Sequence, residues 1–301
     1  MTYHRPVLLD ELLGAAGRPS RVVDATLGDG GHAESLLHAG AEVLGIDRDP
    51  DSIRIARQRL GTERICYLEA PYASAEALEA VGAFRPDLIL LDLGVSSRQL
   101  DEDARGFSFR PGAPLDMRMS GSGRSAADLL NHADEATLGT IFREYGDERR
   151  ARRLAREIVR RRQRQLFGVS DHLVNAIRAV LGPQAGPPEF ARLFQALRIA
   201  LNEELTGLEA ALPALRDALV PGGLLAVISY HSGEDRLVKH AFQEWSRACI
   251  CPPAHPVCTC RRRPLGRAEP RKPILPQASE VQTNPRARSA KLRLFRVADA
   301  A

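Results

Sequence analysis

The stretch Val22-Val23-Asp24-Ala25-Thr26-Leu27-Gly28-Asp29-Gly30-Gly31-His32-Ala33 decides how this chain is read. An apolar strand runs into a glycine-rich turn, and the turn opens a helix. Glycines there remove the Cβ atoms that would hold a nucleotide-like ligand off the backbone. Gly28-x-Gly30-x-x-Ala33 has the spacing of the dinucleotide fingerprint with its permitted final Ala. A second strand ends at Gly45-Ile46-Asp47, about twenty residues on, where a carboxylate can accept both hydroxyls of a ribose. Two ligands fit this geometry. NAD needs its pyrophosphate on the helix N-terminus, where a neighbouring carboxylate repels it. S-adenosylmethionine has no phosphate and carries cationic ammonium and sulfonium groups, which the acidic Asp24 and Asp29 favour. The plainer reading is a tight strand–helix turn with Asp29 as N-cap and His32 a polar residue of the first helical turn. In the ligand reading, His32 closes over the methionine moiety.

Outward from this turn, Arg21–Ala25, Glu42–Ile46, Arg64–Leu68 and Asp87–Leu91 read as strands. Gly31–Ala39, Asp51–Leu60 and Ser74–Val81 read as the helices between them. Strand and helix alternating at this spacing predict an α/β fold with a parallel, doubly wound Rossmann-like sheet. A fifth strand is expected at Leu224–Ser229 and a late one at Lys291–Val297. Leu197, Leu201, Leu205, Leu208, Leu212 and Leu215 recur at helical spacing, one continuous stripe that Pro221-Gly222-Gly223 stops. After Leu93 the rhythm fails. The core therefore spans 1–105 and 196–301, interrupted after the fourth strand by a mainly helical insert, 106–195, which is expected to recognise the substrate.

The 301 residues carry 42 Lys and Arg against 38 Asp and Glu, a formal charge of +4 that by itself selects no partner. Lys239, Lys272 and Lys291 are the only lysines, so 39 of the 42 basic side chains are arginines. No apolar run is long enough for a membrane span, and the polar start resembles no signal peptide, so a cytoplasmic protein is expected. Cys66 stands alone in a strand and reads as a small core residue. Cys249, Cys251, Cys258 and Cys260 form a cluster that is no disulfide framework for a chain of this size. Four thiolates suit structural zinc, with His255 a spare ligand, although the one-residue gaps are tighter than usual. The alternative is free thiols.

Asp92 closes the fourth strand, in Asp92-Leu93-Gly94-Val95-Ser96-Ser97, either as a cap for the next turn or as a ligand-binding carboxylate at the sheet's working edge. Phe107 and Phe109, between Arg105 and Arg110, either stack on splayed bases or anchor the insert. His4-x-Pro6-Val7-Leu8-Leu9, the glycine turn, Arg105-Gly-Phe-Ser-Phe109 and Pro114-Leu-Asp-Met-Arg-Met119 occur in this order. They are followed by Phe194-Gln-Ala-Leu-Arg-Ile199, Ile228-Ser-Tyr-His-Ser232 with Glu234-Asp-Arg236, and Asn284-Pro-Arg-x-Arg-Ser-Ala-Lys291. As a set they resemble the bacterial ribosomal RNA small subunit methyltransferase H family.

That resemblance implies a class I, S-adenosylmethionine-dependent methyltransferase core with a helical insert. It implies transfer of a methyl group to N4 of a cytidine in the decoding centre of 16S rRNA, within the small ribosomal subunit. It places the cofactor contacts on Gly30, Gly31, His32, Asp47, Tyr72, Asp92 and Gln99. Tyr72 stands where the family commonly has Phe. Glu189-Phe-Ala-Arg-Leu193 and Gly233 also depart from the family's usual residues.

The N4 amine is a poor nucleophile because its lone pair is delocalised into the ring. An acceptor against its N–H groups would restore electron density, and Asp92 leads for that role. His231, past the fifth strand, is second, with Ser232, Glu234 and Asp235 around it. Otherwise Glu234-Asp235-Arg236 is simply a capped first helical turn. Cytosine C5 chemistry would need a thiolate to attack C6 covalently, and no Pro-Cys pair follows the fourth strand. From Glu148 to Arg164 nine arginines face two glutamates, a stripe suited to RNA phosphates or simply a solvated face. Arg261–Arg263 with Arg267, Arg271 and Lys272, and then Arg286 and Arg288, make further basic runs. The rival enzyme reading is an NAD-dependent oxidoreductase, and the non-enzyme rival an RNA-binding assembly factor.

Overall fold

The structure, a computed structural model, describes residues 5–251, Cys260 and residues 263–299. The chain forms two compact units, Met1–Gly94 with Leu205–Ala301, and Val95–Glu204. In chain order the helices are α1 (Leu9–Ala16), α2 (Gly31–His38), α3 (Pro50–Leu60), α4 (Ala75–Phe84), α5 (Ser97–Asp101), α6 (Ala126–His132) and α7 (Glu135–Glu144). They continue with α8 (Ala151–Arg162), α9 (Ser170–Leu181), α10 (Pro187–Leu201), α11 (Glu204–Ala218), α12 (Ser232–Trp245) and α13 (Ala278–Thr283).

The first unit holds a seven-stranded sheet ordered β3-β2-β1-β4-β5-β7-β6. β1 (Arg21–Asp24), β2 (Glu42–Asp47), β3 (Ile65–Glu69), β4 (Leu88–Asp92) and β5 (Leu224–Ser229) run parallel. β6 (Gly266–Ala268) and β7 (Lys291–Val297) close one edge antiparallel. Successive residues of a strand point to opposite faces. Val22, Val43, Leu88 and Leu224 accordingly enter one apolar core, while Val23, Leu44, Ile89 and Leu225 enter the other. Covering both faces is what makes these strands near-continuous apolar runs. The α/β class and the strands read from the sequence are as expected. Cys66 is not a core residue: β3 is the outer strand, and the thiol is exposed.

The strand order reverses between β1 and β4, the place where doubly wound sheets open a crevice at their carboxyl ends. Asp24, Asp47 and Asp92 are each the last residue of their strand. Three carboxylates are thereby brought to one edge by topology alone.

The second unit is helical, with a core that includes Leu115, Leu130, Phe142, Leu154, Ile177 and Leu193. It is broader than the interval 106–195, because it includes α5 and the whole of α10. The leucine stripe is not one helix. Asn202 ends α10, its Nδ2 donating to the carbonyls of Arg198 (3.0 Å) and Met117 (2.9 Å), and Glu203 takes a left-handed φ of 53°. Leu197 and Leu201 thus belong to α10, and Leu205 to Leu215 to α11. The phenylalanines anchor this unit rather than offering stacking faces. Phe107 is buried, and Phe109 packs edge-on against Phe190 and Phe194 with centroids 6.0 Å apart. Among the described residues no helix is long and apolar enough to cross a membrane.

Candidate active site

The glycine turn is built for close approach. Gly30 is the N-cap of α2 at φ 83°, and a Cβ there would lie 2.7 Å from Leu60 Cδ1. Only glycine meets both conditions without strain. No side chain caps α2, so Asp29 is not the N-cap anticipated as the structural alternative. The turn is tied to β2 instead: the Gly28 N–H donates to Asp47 Oδ2 at 2.7 Å, and the Asp49 N–H to Asp47 Oδ1 at 2.8 Å. Arg59 adds a brace, donating to the Asp29 carbonyl at 3.2 Å while pairing with Glu34 at 2.5 Å.

Asp24, Asp92 and His32 converge in the same unit. Asp24 is 1% exposed, and burial pushes its carboxyl up to about 7 even though His32 stands near it; Asp92 and Asp47 push in the same direction. Asp92 remains 24% exposed at its side chain, with Oδ2 3.7 Å from His32 Nδ1. Burial also holds Asp92 above the usual carboxylate range, against the opposing pull of His32 and of a hydrogen bond from Tyr230. The His32 Nε2 lies 3.0 Å from the Val7 carbonyl, an acceptor only. Nε2 therefore carries the proton there, and Nδ1 is the atom turned to Asp92.

Asp92 does not cap the next helix. Ser96 does so for α5, in a capping box with Gln99: the Ser96 N–H donates to Gln99 Oε1 at 3.0 Å and the Gln99 N–H to Ser96 Oγ at 3.2 Å. Gln99 is a residue of the helical unit, whereas Gly30, Gly31, His32, Asp47, Tyr72 and Asp92 all belong to the sheet unit. Tyr72 is half-buried beside the core face formed by Leu44 and Ile89.

His231 has a structural task. Its Nδ1 accepts the N–H groups of Gly233 (3.2 Å) and Glu234 (3.4 Å) and so caps α12. The ring proton is then on Nε2, 3.2 Å from Oε1 of Glu234, which is 2% exposed. Gly233 makes room for this ring, since a Cβ there would come within 3.1 Å of it. Asp235 binds Lys291 at 3.1 Å and Arg293 at 2.7 Å. The charged turn 234–236 is largely the capped helix start that the plainer reading describes. Two residues that sequence reasoning gave no role do meet Asp92. Tyr230 Oη donates to Asp92 Oδ1 at 2.9 Å, and the Asp92 N–H donates to Thr26 Oγ1 at 2.6 Å. Their signal was position, since each is a polar residue just past a strand's carboxyl end.

The arginine stripe is mostly engaged. Arg150 donates to the last carbonyls of α9, Val180 and Leu181, and Arg162 to the carbonyls of Leu130 and Ala133 near the end of α6. Arg160 and Arg161 bind Glu157, and the hydrogen bond from Arg160 brings that carboxyl down to about 2. Arg156 reaches Glu135 at 3.4 Å. Arg149, Arg152, Arg153 and Arg164 are left exposed. Arg192 holds Glu148 at 2.6 Å. Of the cysteines, Cys249, Cys251 and Cys260 bring their sulfurs within 4.8 Å of one another. Cys258 and His255, like Arg261 and Arg262, lie outside the described residues.

The profile of the MraW methylase family matches residues 1–298. The protein named ribosomal RNA small subunit methyltransferase H in Gemmatimonas aurantiaca is 57% identical over 302 residues, covering 99% of this chain and 96% of its own. Those of the same name in Heliobacterium modesticaldum and Rubrobacter xylanophilus are 45% and 47% identical, covering 97% and 99% of this chain and 97% of each of theirs. With its glycine turn, strand-end carboxylates and matching length, this chain belongs to the MraW methylase family.

Proposed function

We propose that this chain transfers the methyl group of S-adenosylmethionine to the exocyclic N4 amine of a cytidine in 16S rRNA, acting in the cytoplasm on the small ribosomal subunit. The observation that carries the reading is the set of three carboxylates, Asp24, Asp47 and Asp92, ending adjacent or near-adjacent parallel strands around a glycine turn. An acidic cradle of this kind suits a cation and opposes a pyrophosphate. The residues fit the methyl donor in shape as well, because the space a Cβ would take at Gly28 holds no other atom within 4 Å. When bound, S-adenosylmethionine supplies an electrophilic methyl group.

The protein's part is to orient and to move a proton. Gly30, Gly31 and His32 line the turn, Asp47 takes the ribose hydroxyls, and Tyr72 lies against the adenine. Asp92 Oδ2 accepts an N–H of the cytosine amine and takes that proton as the new N–C bond forms. A carboxyl held above its ordinary range is better matched to this task near neutral pH than a fully solvated one. His231 fits a supporting role through the cap of α12. No covalent thiol adduct is required, and Cys66 stands on the far edge strand. The exposed arginines 149, 152, 153 and 164 fit contacts to RNA phosphates.

The test is methylation of isolated 30S subunits and of naked 16S rRNA, followed by nucleoside analysis. N4-methylcytidine is expected, and a protein that is stabilised by NAD and not by S-adenosylhomocysteine would overturn the reading. The cysteine cluster has its own proposal: Cys249, Cys251 and Cys260, with Cys258 completing the set, hold a structural zinc ion. The gathering of three sulfurs within 4.8 Å supports it. Zinc near one equivalent per chain is expected after purification without chelators, and its absence there would count for free thiols.

A further inference from the structure

We propose that Tyr230 is a positioning residue for methyl transfer, its hydroxyl fixing Asp92 through Oδ1 so that Oδ2 is the oxygen presented to the substrate amine. The inference rests on the reading of Asp92 as the acceptor of the amine N–H. Three anchors define it. The Asp92 main chain is held by its N–H donating to Thr26 Oγ1 at 2.6 Å. One carboxylate oxygen is held by Tyr230 Oη at 2.9 Å. Tyr230 is in turn held by its own N–H donating to Glu234 Oε2 at 2.9 Å, and Glu234 is buried at the start of α12. The other oxygen, Oδ2, lies 3.7 Å from His32 Nδ1, too long for a hydrogen bond, and so keeps acceptor capacity.

A carboxylate free to rotate would present either oxygen and lose alignment with the amine. Tyrosine is suited to prevent this because it is a donor that does not titrate in the working range. Burial, with Asp92, Glu234 and Glu280 around it, keeps the phenol well above its ordinary pKa. The groups that act on Asp92 are Asp24, Glu234, His32 and Tyr230. Of these, Asp24 and Glu234 favour the protonated carboxyl, while His32 and Tyr230 favour the carboxylate. Loss of the phenol hydroxyl therefore has a definite direction: Asp92 holds its proton to higher pH, and the amine loses its acceptor there.

The experiment is the pH dependence of the single-turnover methylation rate on 30S subunits for wild type, Tyr230→Phe and Asp92→Asn. Phenylalanine keeps the ring and the packing. The acid limb of the Tyr230→Phe profile is expected to move up by about one pH unit, a roughly tenfold loss at the acid end that shrinks to within about threefold on the alkaline plateau. A purely structural role would lower the rate equally at every pH, or lower Tm, with the limb unmoved. An unmoved limb together with an inactive Asp92→Asn would overturn the role of Tyr230 alone. An Asp92→Asn variant of full activity would overturn the underlying assignment, whatever Tyr230→Phe does.

Discussion

The strand-end aspartates of the sheet unit and the arginine helix of the insert are both dense charge clusters, yet the fold treats them oppositely. On α8 and at its N-cap, most arginines already have partners: Glu157 takes two, and four backbone carbonyls at helix ends take Arg150 and Arg162. At the ends of β1 and β4, burial instead holds Asp24 and Asp92 above the normal carboxylate range. Charge that satisfies itself within a fold contributes to structure. Charge that the fold leaves in tension is available to a ligand, and perturbed carboxyls at a sheet's carboxyl edge mark a site. The contrast also ranks the experiments.

Asp92→Asn carries the largest expected effect. It keeps the shape of the side chain and removes the acceptor of the amine proton, so turnover on 30S subunits should fall by roughly 10² or more. Tm should change little, since Tyr230 can still donate to the amide oxygen. Wild-type turnover would mean that the tension at β4 is incidental.

Asp24 gives the next effect, through pH. Its folded pKa of about 7 lies above the ordinary 3.8, so the folded chain holds this proton more tightly than the unfolded one. The resulting stability is complete below about pH 4 and is lost as pH rises through 7, roughly 4 kcal/mol in all. A cationic ligand reverses the preference, because it favours the ionised carboxylate. Affinity for S-adenosylmethionine should therefore rise with pH up to about 7, by at most tenfold per unit, and then level off. In Asp24→Asn, calorimetric titration should show this dependence flattened, and the apo protein should melt higher than wild type at pH 8. A wild-type affinity independent of pH between 5.5 and 7.5 would break the argument.

How much of this was legible in the sequence follows the same divide. The sheet was readable because parallel strands buried on both faces are written as apolar runs, and because glycine and aspartate at their ends punctuate them. That Asp24, Asp47 and Asp92 share one edge follows from their strands running parallel, which alternation of strand and helix already implies; the order of the strands is not written there. The insert was harder. Its phenylalanines and arginines are ambiguous by type: Phe109 in a core and Phe109 on a nucleotide have the same neighbours in sequence, and only the rings of Phe190 and Phe194 decide between them. The leucine stripe ran through Asn202 because periodicity does not register a side chain that bonds Met117 across the fold. Cys66 was misplaced because nothing local distinguishes an outer strand from an inner one. Tyr230 lies within the Ile228–Ser232 segment, but its partner stands 138 residues away.

The smallest expected effect separates the arginines of α8 and its approach from one another. Arg149, Arg152 and Arg153 are exposed, whereas Arg162 donates to the Leu130 and Ala133 carbonyls at 2.9 and 2.6 Å. Changing the first three together to Gln removes charge without removing a structural contact, so Tm should hold. Affinity for the 30S subunit should weaken several-fold, and the slope of log K against log salt should shrink by about two if all three meet phosphates. Arg162→Gln should do the reverse, because it leaves carbonyls near the end of α6 short of a donor: Tm falls by a few degrees while the salt slope stays put. Were the exposed trio to leave the salt slope untouched, α8 would be wholly a structural helix, and the contact to RNA would have to come from basic residues elsewhere, such as Arg271 and Lys272.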